Sequence, residues 1–373
     1  MSIRIVPHSK EFSAGVEAFI RRMRAGGSSH GFYVDPEPDW IPKRPGQNVW
    51  REFYVAIDEQ NEVHGGFGLK PQDWKIRGET QIVTDWQGPV SEGSVNPLYA
   101  TLAIRLVREM AKKRPALYSW GHGGKEQPML QLLLKMNWLT HETPFCLRIE
   151  NPFRFLRLNA YLRTSTLRRI VLDLMAFSGI ASAGIRMMHA VIRLRALKRF
   201  QAKAVVVREF GAWANDLWER FQSRYTAIAV RDAQSMNLLA PAVGWPPVTR
   251  LRIERASDTI GWALVMDTRM RDDARFGDLY VGSIVDCFAD PENAGEVVSA
   301  ATAHLRRLGV DVIVSNQSHP AWIRGFGDNG YLLLHGRRLF VASPELKRLL
   351  EPFSDIAPGL HLTNMDGHGP HAL

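Results

Sequence analysis

Ala116-Leu-Tyr-Ser-Trp-Gly-His-Gly-Gly124 and Val312-Ile-Val-Ser-Asn-Gln-Ser-His-Pro320 are two passages of one kind, set in opposite halves of the chain. In each, a short apolar run ends in small and polar residues. A helical pattern follows, over 127–137 in the first and 320–326 in the second. An aromatic residue then opens a last strand, in Met136-Asn-Trp-Leu139 and in Asn329-Gly-Tyr-Leu332. That order predicts a strand–helix–strand crossover. What precedes is also alike. The first half has a strand at 3–6, then a helix with Phe12, Val16, Phe19, Ile20 and Met23 at helical spacing and Ser9 as N-cap. A hairpin of 51–57 with 64–69 follows, then a strand at 80–85 leading into Gly88-Pro89, and a helix at 96–112. The second half has a strand at 204–209, a helix at 211–224 and a hairpin of 248–254 with 259–266. A strand at 279–288 follows, then a helix at 294–308 with Val297, Val298, Ala301 and Leu305 on one face. Hairpins followed by a crossover predict a mixed α/β sheet covered by helices, built twice.

The chain divides accordingly into a first domain (1–151), a connector (152–203), a second domain (204–344) and a tail (345–373). The tail is expected to add a short helix and then a loose Gly/His-rich end. A length of 373 residues suits two domains, and a hydrophobic content of 45% suits a core in each. The two cysteines, Cys146 and Cys287, belong to no metal-ligand spacing and no disulfide framework, so no metal is expected. No apolar run follows the first basic residues, which makes the cytoplasm the expected location. There is no P-loop, Rossmann fingerprint or nucleophile elbow.

The net charge of +9 is concentrated. Between Pro152 and Lys203 there are eleven basic residues against one acid, Asp173, for +10 in this stretch alone. Its centre, Ile170 to Ile192, is apolar except for Asp173, Arg186 and His189. It approaches the length of a membrane span, but two charges inside hydrocarbon disfavour spanning. A helix–turn–helix bent within 178–184 and lying in the membrane interface is expected. Arg168, Arg169, Arg186, Arg193, Arg195, Lys198 and Arg199 would meet lipid headgroups. A helix pair buried between domains is the plainer alternative. Nucleic acid is not expected, because no aromatics interleave the arginines.

Three passages carry a family resemblance. Arg108 to Gly123 and Leu305 to His319 look like a helix passing into a fifth strand. Val281-Gly-Ser-Ile-Val-Asp-Cys-Phe-Ala-Asp-Pro291 looks like a fourth strand entering a cofactor loop. Gly330-Tyr331 looks like the turn before a last strand. Together with the element order, these resemble the GNAT acetyltransferases, once per half. The resemblance implies N-acyl transfer with acyl-CoA as co-substrate. The family's phosphate loop reads roughly [QR]-x-x-G-x-[GA], and its backbone N–H groups cradle the phosphates. The equivalent stretches here, Glu92-Gly-Ser-Val-Asn-Pro-Leu-Tyr-Ala100 and Asp290-Pro-Glu-Asn-Ala-Gly-Glu296, do not match it. The second also sets Glu292 and Glu296 where phosphates would lie.

In this family the chemistry converges where the fourth and fifth strands splay apart. The polar residues there in the first half are Asp85, Glu92, Ser119 and His122. Glu92 and His122 are the catalytic candidates, and Ser94, Val95, Asn96 and Tyr99 are the cofactor-binding candidates. In the second half the candidates are Asp286, as a carboxylate on an apolar strand, then Asn316 and His319 at the end of the next strand. Tyr331 is a candidate acid, with core packing as its alternative. The profile fits a membrane-surface N-acyltransferase moving an acyl chain from acyl-CoA, or from acyl carrier protein, to a lipid-like amine. It would sit peripherally on the inner membrane, and a ceramide synthase-like enzyme acting on a sphingoid base would suit. A FemAB-like or exopolysaccharide-linked envelope transferase and an inactive membrane scaffold are the alternatives.

Overall fold

The computed structural model describes residues 2–122, 126–241 and 247–369. The chain forms two compact units, Met1–His141 with Leu339–Ser354 and Glu142–Arg338 with Asp355–Leu373.

In the first unit, β1 (Arg4–Pro7), β2 (Glu52–Ile57), β3 (Val63–Ile76) and β4 (Glu79–Ser91) pair antiparallel in that order. β5 (Leu117–His122) joins β4 in parallel, and Leu339–Ala342 pairs antiparallel with β5. Successive residues of a strand face opposite sides, so this sheet has two apolar faces. α1 (Ser13–Ala25) covers one, with Val16, Phe19 and Met23 against Val55, Ile57 and Val63. α2 (Leu102–Lys113) and α3 (Pro128–Lys135) cover the other, against Ala56, Phe67, Leu69, Trp86 and Leu117. Ser9 is not a side-chain cap. Its hydroxyl donates to Glu11, and a 3₁₀ turn at Lys10–Phe12 precedes the helix.

β3 and β4 run much farther than their sequence patterns suggest. A two-residue turn joins them, Arg77-Gly78, with both φ angles positive. β4 also passes through Gly88-Pro89 instead of ending there. Gly66 stands opposite Val90 and Gly68 opposite Gln87, so Gly88 and Pro89 together face Phe67. This is a β-bulge, where a strand tolerates a proline outside the ladder.

The second unit repeats the plan. β6 (Leu139–Ile149) leads to three helices, α4 (Pro152–Leu158), α5 (Thr166–Phe177) and α6 (Ile180–Arg199). Then come β7 (Lys203–Val207), α7 (Ala212–Phe221), β8 (Ala227–Ala229), α8 (Ala233–Leu239), β9 (Thr249–Arg255), β10 (Asp258–Arg269) and β11 (Tyr280–Ala289). α9 (Ala294–Arg307), β12 (Val312–Asn316), α10 (Pro320–Asp328) and β13 (Leu332–Ala342) follow. β7, β9, β10 and β11 are antiparallel neighbours, and β12 is parallel to β11. β11 has its own bulge at Val285, between the rungs Val265↔Ile284 and Leu264↔Asp286. α9 buries Val297, Val298, Ala301 and Leu305 as its spacing predicts.

Three expectations change. Each half's last strand joins the other unit. β6 pairs with β12, from Ile149↔Val312 to Phe145↔Asn316, while the end of β13 pairs with β5, from Leu339↔His122 to Ala342↔Tyr118. The compact units therefore do not divide at residue 151. A short apolar strand shows its own burial in its sequence, but not which edge it will pair with. The connector is also not a separate element. Phe155, Leu156, Leu172, Ala176 and Ile185 pack with Leu147, Ile149, Leu279, Val281, Val312 and Val314 of the second unit. Its bend of 60° falls at Ser178-Gly179, where Gly179 has φ +72. Finally, the tail adds more than a short helix, while the last residues of its Gly/His-rich end, 370–373, lie outside the described residues. After α11 (Pro344–Leu349), Leu360 to Asp366 are all buried in the second unit. Among the described residues, no single helix is long and apolar enough to cross a membrane.

Candidate active site

In the first unit, β4 and β5 pair only at Thr84↔Leu117 and Asp85↔Tyr118. β4 continues beyond to Ser91 and β5 to His122 without further rungs, so the strands splay just past Asp85. Asp85 is fully buried at that last rung. Lys70, also fully buried, stands opposite it on β3. Gln87 Nε2 donates to Asp85 at 3.5 Å, and Arg51 Nε donates to Gln87 at 2.7 Å. The Arg51 guanidinium lies over the rings of Tyr33 and Phe53, at 4.7 and 5.0 Å, and donates to the Tyr33 hydroxyl. One face of the sheet thus carries a buried polar file of Arg51, Gln87, Asp85 and Lys70, leading to the splay. Ser119 is buried on the β5 side. A carboxylate held here can accept a proton from a group bound between the strands, and the adjacent cations suit a polar acceptor.

The loop after β4 is pinned from behind. Glu92 accepts from Arg22 Nε and Nη2 at 3.1 and 2.9 Å, and its Oε2 lies 2.8 Å from His64 Nδ1. His64 Nε2 meets Asp58 at 3.1 Å and the Tyr99 hydroxyl at 3.2 Å, and the Tyr99 ring stacks on His64. Burial raises the Glu92 pKa, but the Arg22 guanidinium and the His64 bond bring it below its ordinary value. Asp58 is likewise brought down, against burial, by the same histidine and two backbone N–H groups. Glu92 is therefore a loop anchor with its oxygens occupied, and no free base. Asp58, Glu62 and His64 bring donor atoms within 4.8 Å of one another, yet both His64 nitrogens already serve this relay.

The four cofactor candidates are spent mainly on the loop itself. Ser94 Oγ donates to the Ser91 carbonyl, and Val95 packs against Gly26. Asn96 Oδ1 caps the Leu98 N–H, and Tyr99 stacks on His64. Any phosphate contact here falls to the backbone. His122 ends β5, and its side chain lies outside the described residues, as do those of Arg193, Arg195, Lys198 and Arg199. Arg168, Arg169 and Arg186 are exposed on the connector helices.

The second unit brings Asp286, Asn316 and His319 toward its own splay, past the rung Ser283↔Val314. The chain itself occupies that space. Leu360-His-Leu362, whose first two residues pair in parallel with Ala227 and Ile228 of β8, is bonded to both diverging strands. Its His361 Nε2 lies 2.8 Å from the Cys287 carbonyl of β11. Ser318, just past β12, donates its N–H to the Leu362 carbonyl and its hydroxyl to the Leu360 carbonyl. Asp286 is locked to Arg231 at 3.3 Å, and Arg231 also holds Asp366 at 2.7 Å. All three are buried. Burial pushes the Asp286 carboxyl up against the opposing pull of Arg231. His319 caps α10 by accepting from the Ala321 N–H, and burial holds its pKa down to about 4. Asn316 donates to the Pro144 carbonyl. Tyr331 is not at the splay. It packs on Phe326 and meets Thr302 at 2.8 Å, as a core residue. In the phosphate position Glu296 is consumed by Arg255 and the N–H groups of Gln201 and Ala202, and Glu292 pairs with Arg224.

Two units with one strand order, a bulged fourth strand and a splay after it invite comparison with known structures. A probable N-acyltransferase of Enterococcus faecalis matches 94% of this chain and 74% of its own, with 9% identity and a TM-score of 0.51. A GCN5-related N-acetyltransferase from Anabaena variabilis matches 91% of this chain and 72% of its own, with 10% identity and a TM-score of 0.50. The fold is that of the GCN5-related N-acyltransferases. A Saccharomyces cerevisiae N-myristoyltransferase solved with bound myristoyl-CoA shares it, with a TM-score of 0.50 and 10% identity over 92% of this chain and 78% of that one. No family model and no curated protein matches the sequence.

Within this N-acyltransferase fold, sequence reasoning missed Arg51, Lys70, Gln87 and Arg231. Lys70 and Gln72 left a trace, as alternate polar residues on an otherwise apolar strand. Arg231 left none, because Asp366 lies 135 residues away.

Proposed function

We propose that the chain is an N-acyltransferase working at the β4–β5 splay of the first unit. The acyl donor is a thioester of coenzyme A or of acyl carrier protein. The acceptor is the amine of a long-chain amphiphile, such as a sphingoid base. One observation carries the choice of unit: the second splay is filled by Leu360–Leu362, which leaves the first. The amine nitrogen attacks the thioester carbonyl, a C–N bond forms and the C–S bond breaks. Asp85 takes the proton lost by the amine, and the departing thiolate takes up a proton from solvent. Backbone N–H groups of β4 beyond Asp85 have no rung to β5 and are the donors for the carbonyl oxygen.

A non-catalytic scaffold is the second reading. It is favoured by the use of Ser94, Val95 and Asn96 within their own loop. Purified chain incubated with short- and long-chain acyl-CoA and a panel of amines separates the two. Mass spectrometry should find an amide of the long-chain amine, lost in Asp85→Asn with an unchanged melting temperature. An amide formed only on a hydrophilic envelope precursor would move the acceptor to that class. No amide from any pair leaves the scaffold.

A further inference from the structure

The connector hairpin leaves a set of large apolar side chains exposed on both of its helices. On α5, Leu167, Ile170, Val171, Leu174 and Phe177 recur at helical spacing and are all exposed. Across the bend Ile180, Met187, Met188 and Val191 are exposed on α6. Leu174, Phe177 and Ile180 are 66%, 67% and 77% exposed at the bend itself. The opposite side is what holds the hairpin in place, through Leu172, Ala176 and Ile185 in the core of the second unit. The outward face is therefore not a core face left bare by poor packing.

The charges around it have one sign. Arg168, Arg169 and Arg186 are exposed beside the apolar residues. The one acid of the stretch, Asp173, is held by Arg163 at 2.6 Å and by Arg157 at 3.5 Å, and these guanidiniums lower its pKa. It ties α5 back to the segment before it, and among the described residues of the connector there is no other carboxylate to repel an anion. The bend brings α5 and α6 to one tip; neither alone is long and apolar enough to span, and the two pass that test only as a bent pair, by length and composition. A broad apolar tip rimmed by arginines is what the headgroup boundary of a bilayer accommodates: side chains enter the acyl region and guanidiniums meet phosphates.

We propose that the α5–α6 hairpin docks the protein on anionic phospholipid surfaces, with Leu174, Phe177 and Ile180 inserted and Arg168, Arg169 and Arg186 at the headgroups. This does not rest on acyl transfer, since vesicle binding is read without turnover. The full-length chain is sedimented with vesicles of phosphatidylglycerol and phosphatidylcholine, and with phosphatidylcholine alone. Binding is expected to the first and to weaken with salt. The double substitution Leu174→Glu, Phe177→Glu should lower the bound fraction about tenfold or more, because it places two charges where apolar groups insert. Arg168→Ala, Arg169→Ala and Arg186→Ala together should remove the preference for anionic lipid and spare the fold, since all three are exposed. Equal pelleting with and without anionic vesicles overturns the proposal. So does a lipid-free dimer that Leu174→Glu, Phe177→Glu converts to monomer, which would make the face a contact between copies.

Discussion

The first unit's splay begins past Asp85, which stands opposite the buried Lys70 of the neighbouring strand. The second unit's splay leads to Asp286, which is locked to a guanidinium and covered by the chain's own tail. Strand order, parallel rung and bulge are common to both. What separates them is a seven-residue segment, Leu360 to Asp366, and the arginine it helps to neutralise.

The strongest test is catalytic. Asp85→Asn should reduce turnover about 10²–10⁴-fold, the usual range for loss of a general base, while Asp286→Asn should leave turnover unchanged. The reverse result, by amide formation in a single assay, would exchange the roles of the two splays. The next effect is on stability. Arg231→Ala strands two buried carboxylates and should cost about 3–5 kcal/mol by urea denaturation. Asp286→Asn should cost far less, because Arg231 and Asp366 then remain as a balanced pair.

The two units should also part company in acid. His319 has a folded pKa of about 4 against an unfolded 6.5, so its neutral form stabilises the fold above pH 6.5. That stability is lost as pH falls toward 4, on the order of 3 kcal/mol in full. His361, whose pKa burial also lowers, acts in the same direction. Asp286, raised by burial, acts in the opposite one and offsets part of the loss. Glu92 and Asp58 are depressed carboxylates, so what they stabilise is lost only below their unfolded values of 4.5 and 3.8. Hydrogen exchange at pH 5.5 should find peptides near Leu360–Asp366 loosened while those around Glu92 stay protected. The smallest effect is Glu92→Gln. It weakens charge-assisted bonds to a half-exposed Arg22 and should cost about 1 kcal/mol, read as a modest drop in melting temperature.

Much of this architecture is legible in the amino-acid sequence. The faces of α1, α2 and α9, the order of elements along each half and the bend in the connector are all legible from local periodicity and the small residues of 178–184. Asp85 can be placed at the splay, with Gln87 two residues on along the same strand, but Lys70 of β3 and Arg51, just before β2, cannot, because they meet it only by register. Glu92 reads in sequence as a catalytic candidate, and only His64 and Arg22 reveal it as an anchor.

By itself the sequence determined most of the strands and helices and which of their faces are apolar, since a residue's spacing reports its own burial, but it missed β8 and α8 and ended β3 and β4 short. It also determined that one stretch is basic and amphipathic. Tertiary structure alone decided that β6 and β13 exchange partners, that the tail enters the second splay and that Asp286 answers to Arg231. The physical reason is that an unpaired strand edge accepts any strand that reaches it, and a lone buried charge accepts any opposite charge that can be brought to it. Periodicity describes a segment's faces but names neither partner.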